Sequence, residues 1–186
     1  MTTKKKSIFP LLIYQTLSEH WSVLSFWLMP LGVALWWAVG HNTLLDSRYR
    51  GAAFGISMIG GILTGYCWLL RRAALRCYKT HFTLHAPLYP LAFSYRRVKL
   101  IRPVEFFAIF PPQQEKRARW RLYQKIWGKT AVVIDLKGYP VSSWWLKLWF
   151  SRYLFYPQET ALVLLVDDWM GLTRELEIRR AALLNR

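Results

Sequence analysis

Two stretches of 20 residues, 21–40 (WSVLSFWLMPLGVALWWAVG) and 51–70 (GAAFGISMIGGILTGYCWLL), contain no Asp, Glu, Lys or Arg. That length matches the ~20 residues a helix needs to cross a hydrocarbon core of ~30 Å. Lipid offers no partner for backbone N–H and C=O groups, so such a stretch spans only as a helix. The ten residues between them, 41–50, allow only a tight helical hairpin, which puts both chain ends on one side. Trp21, Trp36, Trp37 and Trp68 fall near the span ends, where aromatic belts form. Pro30 lies mid-span, where it removes a helical hydrogen bond and predicts a kink.

Composition agrees with a membrane reading. Hydrophobic residues make up 54% of the 186-residue chain and charged residues 19%. The first figure excludes a disordered chain, and the second falls below the roughly one quarter usual in soluble domains. Orientation follows from basic residues near the spans. Lys4, Lys5 and Lys6 precede the first, and Arg71, Arg72, Arg76 and Lys79 follow the second. The linker holds only Arg48 and Arg50, offset by Asp46. The positive-inside bias therefore predicts both termini in the cytoplasm. The first apolar run starts late, is long and is followed by a second, which argues against a cleaved signal peptide. Three segments result: a basic N-terminal segment 1–20, a transmembrane hairpin 21–70 and a cytoplasmic domain 71–186. Residues 7–20 read either as a short interfacial helix or as a loose extension of the first span.

Gly51, Gly55, Gly61 and Gly65 fall within a 120° arc of the second helix at ~100° per residue, and two of the spacings are GxxxG, which permits close helix approach. The arc reads as the packing face against the first span, or as a docking face for a partner helix or a second copy.

Residues 71–186 carry 21 Lys and Arg against 8 Asp and Glu. Their pattern predicts strands over 81–85, 91–101, 104–110, 130–136 and 160–166, and leaves 141–150 ambiguous between strand and helix. Asp167-Asp168 then offers an N-cap to a helix running to about Leu184, with Trp169, Leu172, Leu176 and Leu183 on one face. Short antiparallel strands closed by one amphipathic helix predict an α+β fold, a small barrel or bent sandwich with the helix over its open end.

The two spans, then YKTHFTLHAPLYPLAFSYRRVKLI at 78–101 and ALVLLVDDWMGLTRELEIRRAAL at 161–183, resemble the bacterial pleckstrin-homology-like (PH-like) membrane proteins. In these a pair of membrane helices precedes a small PH-like domain. The resemblance implies a binding or scaffolding domain without catalytic residues, in a bacterial inner membrane. The segments 111–129, longer and more basic, and 144–156, unusually aromatic, depart from that pattern.

Two segments are candidate contact sites. In 115–125 (EKRARWRLYQK), Lys116, Arg117, Arg119, Arg121 and Lys125 interleave with Trp120 and Tyr123. Near a bilayer each such cation contributes about 1 kcal/mol of attraction to anionic lipid. The same composition suits an acidic protein, or a loop that is merely solvated. In 142–156 (SSWWLKLWFSRYLFY), Trp144 and Trp145 flank Lys147, a combination that suits a bilayer interface, a protein interface or the domain core. Basic and aromatic residues also suit single-stranded nucleic acid, but no nucleic-acid motif accompanies them and none is expected as a partner.

No catalytic or metal chemistry is legible. His81 and His85 lie about 13 Å apart along a strand. Cys67 and Cys77 match no zinc or redox spacing. The carboxylates form no acid–base pair, and no phosphate loop or nucleophile elbow is present. No metal or cofactor is expected. The sequence thus predicts a non-enzymatic, membrane-anchored PH-like binding or scaffold protein. Its contacts would be Lys116, Arg117, Arg119, Trp120, Arg121, Lys125, Trp144, Trp145 and Lys147 on anionic lipid or a partner. The alternative is an accessory subunit of a larger membrane complex, or a self-associating chain, held through the glycine arc.

Overall fold

The computed structural model describes residues 8–41 and 48–184. Lys4–Lys6 and Asp46, used above for orientation, lie outside the described residues. Two compact units emerge, one formed by residues 17–71 and the other by 1–16 together with 72–186.

The first unit holds two long helices, and both are long and apolar enough to cross a membrane. Helix α1 spans Leu12–His41 and α2 spans Arg48–Arg71. Helix α1 runs on through Pro30. The seam between α1 and α2 is lined by small residues. A Cβ at Gly32 would stand 2.5 Å from the Ser57 nitrogen, and one at Gly60 would stand 2.8 Å from the Met29 nitrogen. Backbone therefore meets backbone at these two glycines, where only a hydrogen fits. Ser57 Oγ donates to the Met29 carbonyl at 3.4 Å, beside Pro30. Gly51, Gly55, Gly61 and Gly65 face open space, with nothing within 4 Å of an added Cβ at any of them. The reading that assigned this arc to packing within the hairpin is corrected: Gly32 and Gly60 make the close approach.

The second unit is α+β. Strands β1 (Ile8–Pro10), β2 (Ala74–Cys77), β3 (His81–His85) and β4 (Pro90–Ser94) form one antiparallel sheet in that order. Strands β5 (Val98–Glu105), β6 (Thr130–Leu136) and β7 (Ala161–Leu164) form a second antiparallel sheet. Helices α3 (Phe106–Ile109), α4 (Arg117–Tyr123) and α5 (Ser143–Trp149) sit in the β5–β6 and β6–β7 connections. Helix α6 (Trp169–Leu184) follows β7 and packs on β5 and β6 through fully buried Leu172 and Leu176. Asp168 caps it, its Oδ1 accepting the Gly171 N–H at 2.8 Å.

The strands do not close into a barrel. Residues 91–101, expected as one strand, change sheet at a 3-10 turn, Tyr95–Arg97. Ser94 Oγ accepts from the Arg96 N–H there, and the Tyr95 ring is buried. Residues 104–110, also expected as a strand, leave β5 at Glu105 and coil into α3, because Phe106 and Ile109 are drawn to one buried side at helical spacing. In the first sheet, cross-strand partners Phe82 and Phe93 stack at 5.3 Å and Leu84 pairs with Leu75 and Leu91, giving one apolar face. The second sheet is more deeply covered: residues 131–134 of β6 and all of β7 are buried.

The N-terminal segment divides: residues 8–10 form strand β1, and residues 12–20 extend the first span as the start of α1. Ile8, Phe9 and Pro10 pair with Arg76, Leu75 and Ala74. Leu11 N–H donates to the Ala73 carbonyl at 3.2 Å, and Leu12 N–H to the Leu165 carbonyl, just past β7, at 3.0 Å. Leu11 and Ile13 have no solvent exposure. In chain order the helical hairpin is thus an insertion between two paired strands.

A chain in which residues 17–71 are replaced by a short Gly/Ser linker should fold and melt cooperatively by circular dichroism, whereas a fragment starting at Arg72 should not. In the former, Ile13→Ala should cost about 2–5 kcal/mol. In detergent, Gly60→Leu should lower the melting temperature of the full chain, while Gly55→Leu and Gly61→Leu should leave it within a degree or two.

Candidate functional site

The two candidate segments lie far apart in sequence, and the fold brings them to adjoining clefts. Segment 115–125 forms α4 and the 3-10 turn Gln124–Ile126 that follows it. Helix α4 and this turn are held by an aromatic cluster centred on Tyr153, whose ring lies 5.1 Å from Phe110, 4.9 Å from Tyr123 and 6.3 Å from Trp127. Trp127 Nε1 also donates to the Trp120 carbonyl at 3.3 Å.

Arg117, Trp120 and Arg121 share the outer side of α4, at i, i+3 and i+4, and all three are exposed. Arg119 does not join them. It turns to Glu115, 3.8 Å away. The three arginines therefore form no single face. Lys116 stands exposed at the start of α4, and Lys125 is exposed on the turn after it.

Glu115 is the hub that sequence reasoning missed. Its side chain is only 6% exposed and it pairs with Arg152 as well as Arg119. Burial, reinforced by this carboxylate, pushes the Tyr153 phenol up to about 12. One cleft of ≈ 370 Å³ is lined by Glu115 together with Gln114, Lys147 and Arg152. A second, of ≈ 370 Å³, is lined by Glu115, Arg117 and Trp120. A carboxylate flanked by arginines four residues and 37 residues away has no one-dimensional signature.

Segment 142–156 divides. Leu146, Phe150, Tyr153, Leu154 and Phe155 are buried in the core. The rest of α5 points outward: Trp144 is 71% exposed and Leu148 60%, with Trp145 and Trp149 partly exposed and ring to ring at 5.8 Å. Lys147 lies among them. On the β3–β4 turn Leu88 and Tyr89 are exposed, and Tyr89 meets the buried Phe150 edge-on at 6.5 Å. An apolar turn between two prolines, APLYP at 86–90, was the available signal for it.

Most carboxylates of this unit serve the fold. Arg102 spans Asp135 and Glu159 at 3.3 and 2.5 Å, tying β5 to β6 and to the approach to β7. Asp167 takes Lys129 at 2.7 Å, Asp168 caps α6, and Glu175 pairs with Arg179. Among the described residues no three His, Cys, Asp or Glu side chains cluster as metal ligands would. His81 and His85 sit at opposite ends of β3. Burial, and then Arg76, holds the His85 imidazole below its ordinary value. Burial pushes the Cys77 thiol up to about 11, which leaves little nucleophilic thiolate at neutral pH.

No known protein family, curated protein or solved structure matches the chain.

Glu115→Ala should destabilise the full chain by roughly 1.5–3 kcal/mol, since it strips two arginines of their buried acceptor. Calorimetry checks this, and an unchanged unfolding temperature would show that the pairs contribute nothing.

Proposed function

We propose that this chain is a non-enzymatic, membrane-anchored binding protein, whose helical hairpin crosses the bilayer and whose α+β unit docks α5 on the surface of that same membrane. The carrying observation is the outward face of α5, where Trp144, Trp145, Leu148 and Trp149 surround Lys147 on an otherwise basic unit. Full burial of such a side chain favours docking by about 1.5–3 kcal/mol. Trp and snorkelling Lys are the side chains that prefer the headgroup boundary.

Anchoring makes even weak contacts effective. The unit joins the hairpin directly, at Thr16 within α1 and through Arg72 and Ala73 after α2. Such a tether turns lipid contact into an intramolecular event at high effective concentration. Arg117 and Arg121 supply further long-range attraction to anionic lipid, and Trp120 between them an interfacial ring. The basic flanks of the two spans favour a cytoplasmic placement of the unit. A sheet of four strands, a sheet of three and a C-terminal helix support a PH-like reading, and with it a bacterial inner membrane and a binding or scaffolding role.

A second reading, an accessory subunit of a larger membrane complex, is favoured by one observation: the glycine arc at Gly51, Gly55, Gly61 and Gly65 meets nothing in the hairpin. Under it, Gly55→Leu with Gly61→Leu releases a companion chain that co-purifies with the unaltered protein.

The docking reading is tested in vesicles containing anionic lipid. The full chain carries a nitrobenzoxadiazole dye on Leu148→Cys, with Cys67 and Cys77 replaced by Ser. Blue-shifted emission, quenched by lipids spin-labelled near the top of the acyl chain, is expected. Emission at the aqueous wavelength without quenching would sink the reading.

A further inference from the structure

The cleft beside α5 has a feature that surface docking does not need. Phe110, Pro111, Phe155 and Tyr156 line a space of ≈ 370 Å³. Among the described residues Lys147 and Arg152 are its only lining cations and Glu115 its only lining carboxylate. That carboxylate is nearly sealed from solvent, whereas the Arg152 side chain is 56% exposed. The open surface of the cleft is therefore positive.

Arg152 is also held in place. Its guanidinium pairs with Glu115 through Nη2 and lies 5.2 Å over the Tyr153 ring. A guanidinium has five N–H donors in a rigid fork, so the Glu115 pair leaves several for another acceptor. Fixing the fork in advance lowers the ordering cost of binding an anion. Lys147 adds a mobile point charge, and Gln114 an amide donor.

We propose that this cleft binds a phosphate group between Lys147 and Arg152, and that the phosphate is the headgroup of a lipid in the bilayer on which α5 docks. The source of the phosphate rests on that docking reading. Lys147 stands three residues after Trp144 and beside Leu148, so it shares a side of α5 with the two most exposed apolar residues of that helix. A lipid whose headgroup fills the cleft can direct its chains to the side where these residues meet the membrane. A soluble phosphate ester offers the same chemistry to the two cations but has no use for the apolar rim.

The test uses the full chain in detergent and native mass spectrometry, which needs no bilayer. The probes are dihexanoylphosphatidylglycerol, its phosphate-free counterpart dihexanoylglycerol, and glycerol 3-phosphate. One phosphatidylglycerol should bind per chain and dihexanoylglycerol should not. Lys147→Glu should weaken binding at least tenfold. Arg152→Gln should do the same, and Arg174→Glu on α6, the same charge change as Lys147→Glu, should leave binding unchanged. Equal binding by the unaltered chain and Lys147→Glu, with melting temperature preserved, overturns the proposal. Glycerol 3-phosphate binding as tightly as the lipid keeps the phosphate site and overturns the lipid as its source. Loss of the dye signal at position 148 with phosphatidylglycerol still bound sinks the docking reading alone. A retained signal with variants that bind normally sinks the cleft alone.

Discussion

Everything in the α+β unit depends on a short run of chain that precedes the hairpin. Ile8–Pro10 completes the first sheet against β2, and the next two residues bond to Ala73 and Leu165. Leu165 follows the last strand of the second sheet, so residues 8–12 join the two sheets at one side. At the other side they are joined by the Tyr95–Arg97 turn. Without residues 8–12 the N–H and C=O groups of β2 that face β1 lose their partners, and fully buried Leu11 leaves a void. In chain order the hairpin is thus inserted within the unit, since the strand before it pairs with the strand after it.

The same economy of close contact governs the hairpin. Its helices meet at Gly32 and Gly60, where backbone approaches backbone within reach of dispersion forces. The more regular arc at Gly51, Gly55, Gly61 and Gly65 stays open. Spacing alone shows that residues share a side of a helix. It does not show which side the neighbouring helix takes, because that depends on which pair of faces fits best over the whole length.

In the second unit, buried polar chemistry sets the surface. Glu115 draws Arg119 and Arg152 together, and the aromatic ring cluster around Tyr153 holds α4 in place. That arrangement turns Arg119 away from Arg117 and Arg121. The exposed side of α5 arises differently. Leu146 and Phe150, four residues apart, anchor the helix to the core, and a helix of seven residues anchored on one side leaves Trp144, Lys147 and Leu148 outside.

The sequence by itself determined the features that rest on local chemistry. The two long apolar helices, the strands at 81–85 and 130–136, and the helix after Asp168 follow from charge gaps, alternation and a cap. Each is decided within ten to twenty residues. Tertiary structure alone decided the rest. The role of 8–10 as a strand, the break of 91–101 into two strands and a turn, the packing glycines, and the meeting of Glu115 with Arg152 all depend on partners distant in the chain. A three-residue strand has too few residues to show a period, and a carboxylate shows no preference for one arginine over another until folding removes the water between them. The physical reason is common to all four: their stability lies in contacts made across the fold, so no local pattern carries it.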